Sequence, residues 1–225
     1  MSLTESITVA SLQIKEPLPD FKIEASINRG LSGRKGPVFI EFCLDAQAAQ
    51  IEPDSLQSMS NRDTPAAPAI AAALPQNFFA KLEASKRPVL LLGGGVSRKT
   101  ARKLQDRLSH LAIPVMTTWN ATDRVSSLAE SFFGRPNTWG QRFANVLIQQ
   151  TDLLIALGTR LGLQQTGFNW QGFVPNGTVV QVDVDKAELD KEFPQVDIPV
   201  LGDANEILEQ VLEAIEKQDK DDWKT

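Results

Sequence analysis

The strongest constraint on the fold is a series of short, uniformly apolar runs, each closing on glycine, threonine or an acid: PVLLL (88–92), IPVMTT (113–118), DLLIAL (152–157), TVVQV (178–182) and PVL (199–201). They are too short for buried helices and lack the polar alternation of a half-exposed strand, so each reads as a strand covered on both faces. The segments between them carry apolar residues at helical spacing. Ala101, Leu104, Leu108 and Leu111 share one helical face, a helix is expected near 140–151, and a short one begins near Lys186. Ile207, Leu208, Val211, Leu212 and Ile215 stripe the last helix. Alternating strands and helices of this kind specify an α/β fold with a doubly wound parallel sheet, a Rossmann-like middle domain assigned to residues 76–218.

The first fifty residues hold less. Pro19 and Asp20 open a helix carrying Ile23, Ile27 and Leu31, Gly33 stops it, and PVFIEF (37–42) is a strand. One helix and one strand cannot enclose a core, so residues 1–50 are expected to be a helix-strand remnant of a preceding domain, with further chain upstream. Its apolar faces, built by Ile23, Ile27, Leu31, Val38, Ile40 and Phe42, are expected to drive association. Residues 51–75, with Pro53, Pro65, Pro68 and Pro75, read as a linker. Residues 219–225 form a charged tail, and the whole closing stretch EKQDKDDWKT is expected to fray.

Composition narrows the function. With 23 basic against 28 acidic residues and a net charge of -5, the chain offers no basic surface for a nucleic-acid partner. No apolar run approaches the ~20 residues of a membrane span, and the single cysteine, Cys43, excludes an internal disulfide; a cytoplasmic protein with Cys43 in a buried strand is expected. His110, the one histidine, sits among polar residues and reads as solvated, which leaves no Ser-His-Asp or Cys-His arrangement, no metal cluster and no catalytic residue to nominate.

Ligands of open parallel sheets bind beyond the carboxyl ends of the strands, so the residues there are the candidates. Gly93, Gly94 and Gly95 would let a phosphate approach the backbone at a helix N-terminus, or simply make a tight strand-to-helix turn; Ser97 and Arg98 break the GxGxxG spacing of dehydrogenases. Gly158, Thr159 and Arg160 follow another strand, where Arg160 could grip a diphosphate or form an ion pair. Asp183 and Asp185 follow a third, where a carboxylate suits ribose hydroxyls and Asp185 equally suits a helix N-cap.

The order of these signals resembles a known family. GRKGPVFIEFCLDAQAA (33–49) is similar to the close of the N-terminal, pyrimidine-binding domain of thiamine diphosphate-dependent enzymes of the acetolactate synthase large-subunit kind, with Cys43 and Ala46 replacing the usual proline and valine. RPVLLLGGGV (87–96), IPVMTTW (113–119), Gly134, Ala144-Asn145, DLLIALGTRL (152–161), VVQVDVDKAELDK (179–191) and GDA (202–204) then resemble its middle domain. The resemblance implies a parent that decarboxylates and ligates 2-oxo acids with thiamine diphosphate and magnesium. Both would be bound by N- and C-terminal domains outside this sequence, so the fragment is expected to be inactive alone, with those missing domains and further copies of itself, a homo-oligomer, as partners. In flavin-containing members the middle domain holds FAD; the matching positions are Gly93, Gly94, Gly95, Thr118, Arg160 and Asp183, so FAD or another nucleotide is implied as its ligand. Trp119-Asn120 and GRPNTWG (134–140) depart from the flavin-binding pattern. An alternative is a free-standing NAD-binding enzyme of the deacetylase or deoxyhypusine synthase-like fold, which would need a histidine or lysine beside the nicotinamide.

Overall fold

A computed structural model of the chain describes residues 2–51, 73–218 and 223. It divides into two compact units, residues 1–69 and 70–225.

The first unit is richer than one helix and one strand. After a single turn of helix, α1 (Ser2–Glu5), strand β1 (Ala10–Ile14) leads through α2 (Asp20–Leu31) to β2 (Val38–Phe42) and a short α3 (Leu44–Ala48). β1 and β2 pair in parallel from Ala10 opposite Val38 to Ile14 opposite Phe42, so the unit is a βαβ crossover. β1 is an element the sequence reading lacked. Ala10, Leu12 and Ile14 alternate with Ser11 and Gln13, but five residues of mixed polarity make a weak period-2 signal. Cys43 also departs from expectation: it lies past the end of β2, half-buried, and begins α3. Ile14 is the one buried hydrophobic side chain among the described residues of this unit, whereas Leu31 and Phe42 are 64% and 52% exposed.

The second unit is a five-stranded sheet flanked by helices. In chain order its elements are α4 (Gln76–Ala84), β3 (Pro88–Leu92), α5 (Arg98–Lys103), α6 (Gln105–Ser109), β4 (Val115–Thr117), α7 (Arg142–Gln150), β5 (Leu153–Leu157), α8 (Leu163–Thr166), β6 (Thr178–Asp183), α9 (Lys186–Leu189), β7 (Ile198–Leu201) and α10 (Ala204–Gln218). The strands lie in the order β4-β3-β5-β6-β7, all parallel, with Leu92 opposite Thr117 and Leu157, and Leu157 opposite Val182.

Uniformly apolar strands are required because both faces are covered. Leu90, Leu92, Ile155, Leu157, Val180 and Val182 join Leu104, Leu108, Leu208, Val211, Leu212 and Ile215 in one core. The alternate positions Val89, Leu91, Leu154, Ala156 and Val179 meet Ala144 and Ile148 of α7, together with Leu161 and Phe173, in a second. Each of the valine, leucine, isoleucine and phenylalanine side chains contributes about 1.5–3 kcal/mol by leaving water. The expected helix through Ala101 and Leu111 is interrupted at Leu104, whose φ of -104° and ψ of 12° end α5 and begin α6; all four of its apolar positions are nevertheless buried.

The expected linker lies largely outside the described residues, but at its end Leu74 is buried in the first core and Pro75 precedes α4. The expectation of a fraying terminus is corrected in two places: α10 runs on to Gln218, and Trp223 is buried with its indole Nε1 donating to Ser85 O at 3.1 Å. A charged composition did not prevent this, because one large aromatic with a satisfied N–H outweighs its polar neighbours. At the same end of the sheet, the Asp152 carboxylate accepts from the Ser85 hydroxyl, from Lys86 N at 2.9 Å and from Arg87 N at 3.0 Å.

Candidate functional site

β3, the first strand of the sheet, lies between β4 and β5, so the chain leaves it in one direction and resumes on its other side. Loops at the carboxyl ends of β3 and β5 therefore diverge, and a crevice at such a switch point is where parallel sheets hold ligands. All nine candidate residues lie at this end of the sheet.

Gly93 to Gly95 and Gly158 form the floor. Gly93 N donates to Leu157 O at 2.8 Å and Gly95 N to Gly158 O at 2.9 Å, so the two turns are bonded to each other. A Cβ on Gly93 would lie 2.2 Å from Gly158 O, and Gly158 itself takes the left-handed φ of +61°. Glycine at Gly93 and Gly158 is thus required by the packing of one turn on the other, the tight-turn reading of the triplet. Gly94 and Gly95 nevertheless remain solvent-exposed. The helix behind them, α5, is only six residues long and is capped from within, its Ser97 hydroxyl accepting from Thr100 N at 3.0 Å.

Several residues missed in the sequence hold this floor. Asn205 accepts from Ser97 N at 2.7 Å and donates to Gly95 O at 3.2 Å. Buried Arg124 donates through Nε to Val96 O at 2.5 Å, and its guanidinium pairs with Asp123, which also pairs with Arg98. The Arg98 hydrogen bond, with Arg124 beside it, holds the Asp123 carboxyl below its usual range. The signal for Asn205 was its place just after Gly202-Asp203; Arg124 stood in a stretch with no periodicity to read.

The remaining candidates divide by environment. Thr118 is buried and its N–H bonds Leu92 O at 2.9 Å, tying the end of β4 to β3. Thr159 is buried, its carbonyl accepting from Gln181 Nε2 at 3.1 Å. Arg160 realises the ion-pair reading, donating from Nε to Glu188 Oε1 at 2.6 Å, yet its side chain stays 68% exposed. Lys191 bonds Arg160 O and lies 3.5 Å from Glu188; burial pushes its ammonium below the ordinary lysine value against the pull of Glu188 and Asp183. Asp183 is buried, its Oδ1 accepting from Asp185 N at 2.9 Å. Asp185 is a helix N-cap, accepting from Ala187 N at 3.0 Å. His110 is exposed as expected, with Nδ1 2.9 Å from Asp106 O.

Over the rim, Trp119 and Trp139 stack with ring centroids 6.1 Å apart and an interplanar angle of 18°, both substantially exposed. The arrangement combines exposed backbone at Gly94 and Gly95, the exposed guanidinium groups of Arg98 and Arg160, and carboxylates engaged in local structure. Among the described residues, no group of three or more histidine, cysteine, aspartate or glutamate side chains could hold a metal ion, and no helix is long and apolar enough to cross a membrane.

Comparison with known proteins agrees with the fold. Residues 76–211 match the family model described as the thiamine pyrophosphate enzyme, central domain. The chain is 33% identical over 192 residues to the acetolactate synthase isozyme 1 large subunit of Escherichia coli, covering 85% of this chain and 33% of that protein. It is 31% identical to the acetolactate synthase large subunit of Corynebacterium glutamicum, covering 98% of this chain and 36% of the relative. With a probable acetolactate synthase large subunit of Methanocaldococcus jannaschii the identity is 32%, covering 99% of this chain and 39% of the relative. The chain thus spans between a third and two fifths of the length of these relatives.

Proposed function

The chain belongs to the thiamine pyrophosphate enzyme family, whose central domain its residues 76–211 form, and we propose that it is the scaffold and nucleotide-holding part of an acetolactate synthase-like enzyme acting on 2-oxo acids. The observation that carries this reading is the coincidence of the family match with a switch-point crevice whose floor exposes Gly94 and Gly95 beside the exposed Arg160 guanidinium. A diphosphate needs a backbone N–H and a fixed cation; Gly94 would supply the first, since Gly95 N is bonded to Gly158 O, and Arg160 the second. Asp183 and Asp185 would bound the ribose side, and Thr118 the opposite wall. FAD is the ligand we assign to this place, with other ADP-containing nucleotides sharing its chemistry.

We assign thiamine pyrophosphate, magnesium and the reacting groups to other parts of the parent protein, and expect this chain alone to be inactive. Those other parts, and further copies of the chain, are its proposed partners. The free-standing NAD-binding enzyme is not favoured: the family match spans the sheet, and His110 follows α6, away from the carboxyl ends of the strands.

Calorimetric titration of FAD, ADP and NAD into the chain and into Arg160→Ala tests the proposal. Binding of FAD and ADP, weakened about tenfold in the variant as a charge-assisted contact is lost, is the expected result. No heat with any of the three at about 1 mM would reduce the role to scaffold alone. Tight binding of NAD only would revive the alternative.

A further inference from the structure

A cavity of about 310 Å3 shares no lining residue with the strand-end floor. It forms where the segment following β5 crosses α7 and the 134–140 loop. The walls are fixed by bonds among themselves: Thr138 N donates to Gln164 O at 2.9 Å, Gln165 Nε2 donates to Pro136 O, and Asn145 both accepts from Asn137 N and donates to Asn137 O at 2.9 Å. Ile148 and Phe173 give it an apolar base, and Phe168, 86% exposed, stands at its lip.

No charged side chain lines this cavity, whereas amides recur. Asn145 and Gln165 spend their amides on the walls. Gln149 and Asn169 do not: among the described residues their side chains make no hydrogen bond, and each carries a donor and an acceptor in one plane. A pair of such amides matches an uncharged ring that presents a donor beside an acceptor, as asparagine and glutamine do when they read adenine. Phosphate or carboxylate would find no counter-charge here. The volume lies at the lower end of small-ligand sites, enough for one ring system and too little for a dinucleotide.

We propose that this amide-lined cavity binds an uncharged planar heterocycle bearing adjacent hydrogen-bond donor and acceptor groups, held edge-on by Gln149 and Asn169 and stacked against Phe168. The chemistry is shared by a purine base and by a ring carboxamide. The site is separate from the strand-end crevice and does not depend on a nucleotide being held there.

The test is a titration of adenosine, AMP and nicotinamide into the isotopically labelled chain, read by amide NMR. Saturable shifts at the Gln149 and Asn169 side-chain amides and at Gly167 and Phe168 are expected, from adenosine if the ring is a purine and from nicotinamide if it is a carboxamide. The phosphate of AMP adds no affinity. The double variant Gln149→Leu, Asn169→Leu weakens binding about tenfold with an unchanged melting temperature, both side chains being exposed; the milder Asn169→Asp, which replaces an amide by a charge, weakens it as well. No saturable shift with adenosine or nicotinamide at about 10 mM, shifts confined to Gly93–Gly95, or equal binding by the variants would overturn the proposal. Arg160→Ala leaves this titration unchanged, so failure at one site is distinguishable from failure at the other.

Discussion

Asp152 shows how much one side chain settles. Burial works to raise its carboxyl, but the Ser85 hydroxyl, the Lys86 and Arg87 amides and the Arg87 charge together outweigh it and hold the group below the ordinary carboxylate value. A carboxylate whose folded value is depressed contributes stability above its unfolded value, near 3.9, and loses it as pH falls through the folded one. Asp152→Asn is therefore expected to lower the unfolding free energy near neutral pH by roughly 1–2 kcal/mol, the scale of charge-assisted bonds at a half-exposed site. Denaturant melts should show this gap closing below about pH 4; a gap that stays constant would refute the assignment. The same residue type was harder to read at the strand ends. A carboxylate after a strand suits a ribose or a helix cap, and Asp185 caps α9 while Asp183 steadies the turn before it. Their pattern announced where they would stand and left open what each would do there. Of the residues that brace the glycine turn from a distance, Asn205 was marked only by its place after Gly202-Asp203, and Arg124 left no local trace in the sequence.

At the scale of elements, the turn after β3 and the turn after β5 behave as one part. A Cβ at Gly93 would meet the rigid backbone of Gly158 at 2.2 Å, whereas one at Gly94 would meet Asn120 Cβ at 3.3 Å, a contact that a shift of a few tenths of an ångström relieves. Gly93→Ala should therefore cost about 1–3 kcal/mol, the usual penalty of overpacking, while Gly94→Ala stays within about 0.5 kcal/mol. Thermal melts of the two variants check this, and equal losses would mean that the turns do not share the contact. The strands of the sheet were legible because burial on both faces demands continuous apolar sequence, and the last helix because its stripe is long. β1 was not, since a half-covered strand of five residues imposes little on composition. The break at Leu104 was also silent: helical spacing survives a short interruption when Ala101 and Leu108 still face the same core.

At the scale of the whole molecule, the first unit is a parallel βαβ crossover that leaves Ile27, Leu31, Phe42 and Leu44 exposed. Parallel strands are stable where both faces are covered, and a two-stranded sheet has neither enough area nor closed edges. Removal of residues 1–50 is expected to shift the species toward monomer in light scattering; an unchanged mass would show that association arises elsewhere. The strand order β4-β3-β5-β6-β7 carries a last consequence, in time. During synthesis β3 and β4 can pair first; β5 must then add to the free edge of β3, and β6 and β7 each to the edge left open by the strand before. One face of that growing sheet waits for Ile207, Leu208, Val211, Leu212 and Ile215, which follow every strand of the sheet in the chain. Until α10 has left the ribosome, that face of the sheet stays bare, and that interval is when a chaperone would find most to hold.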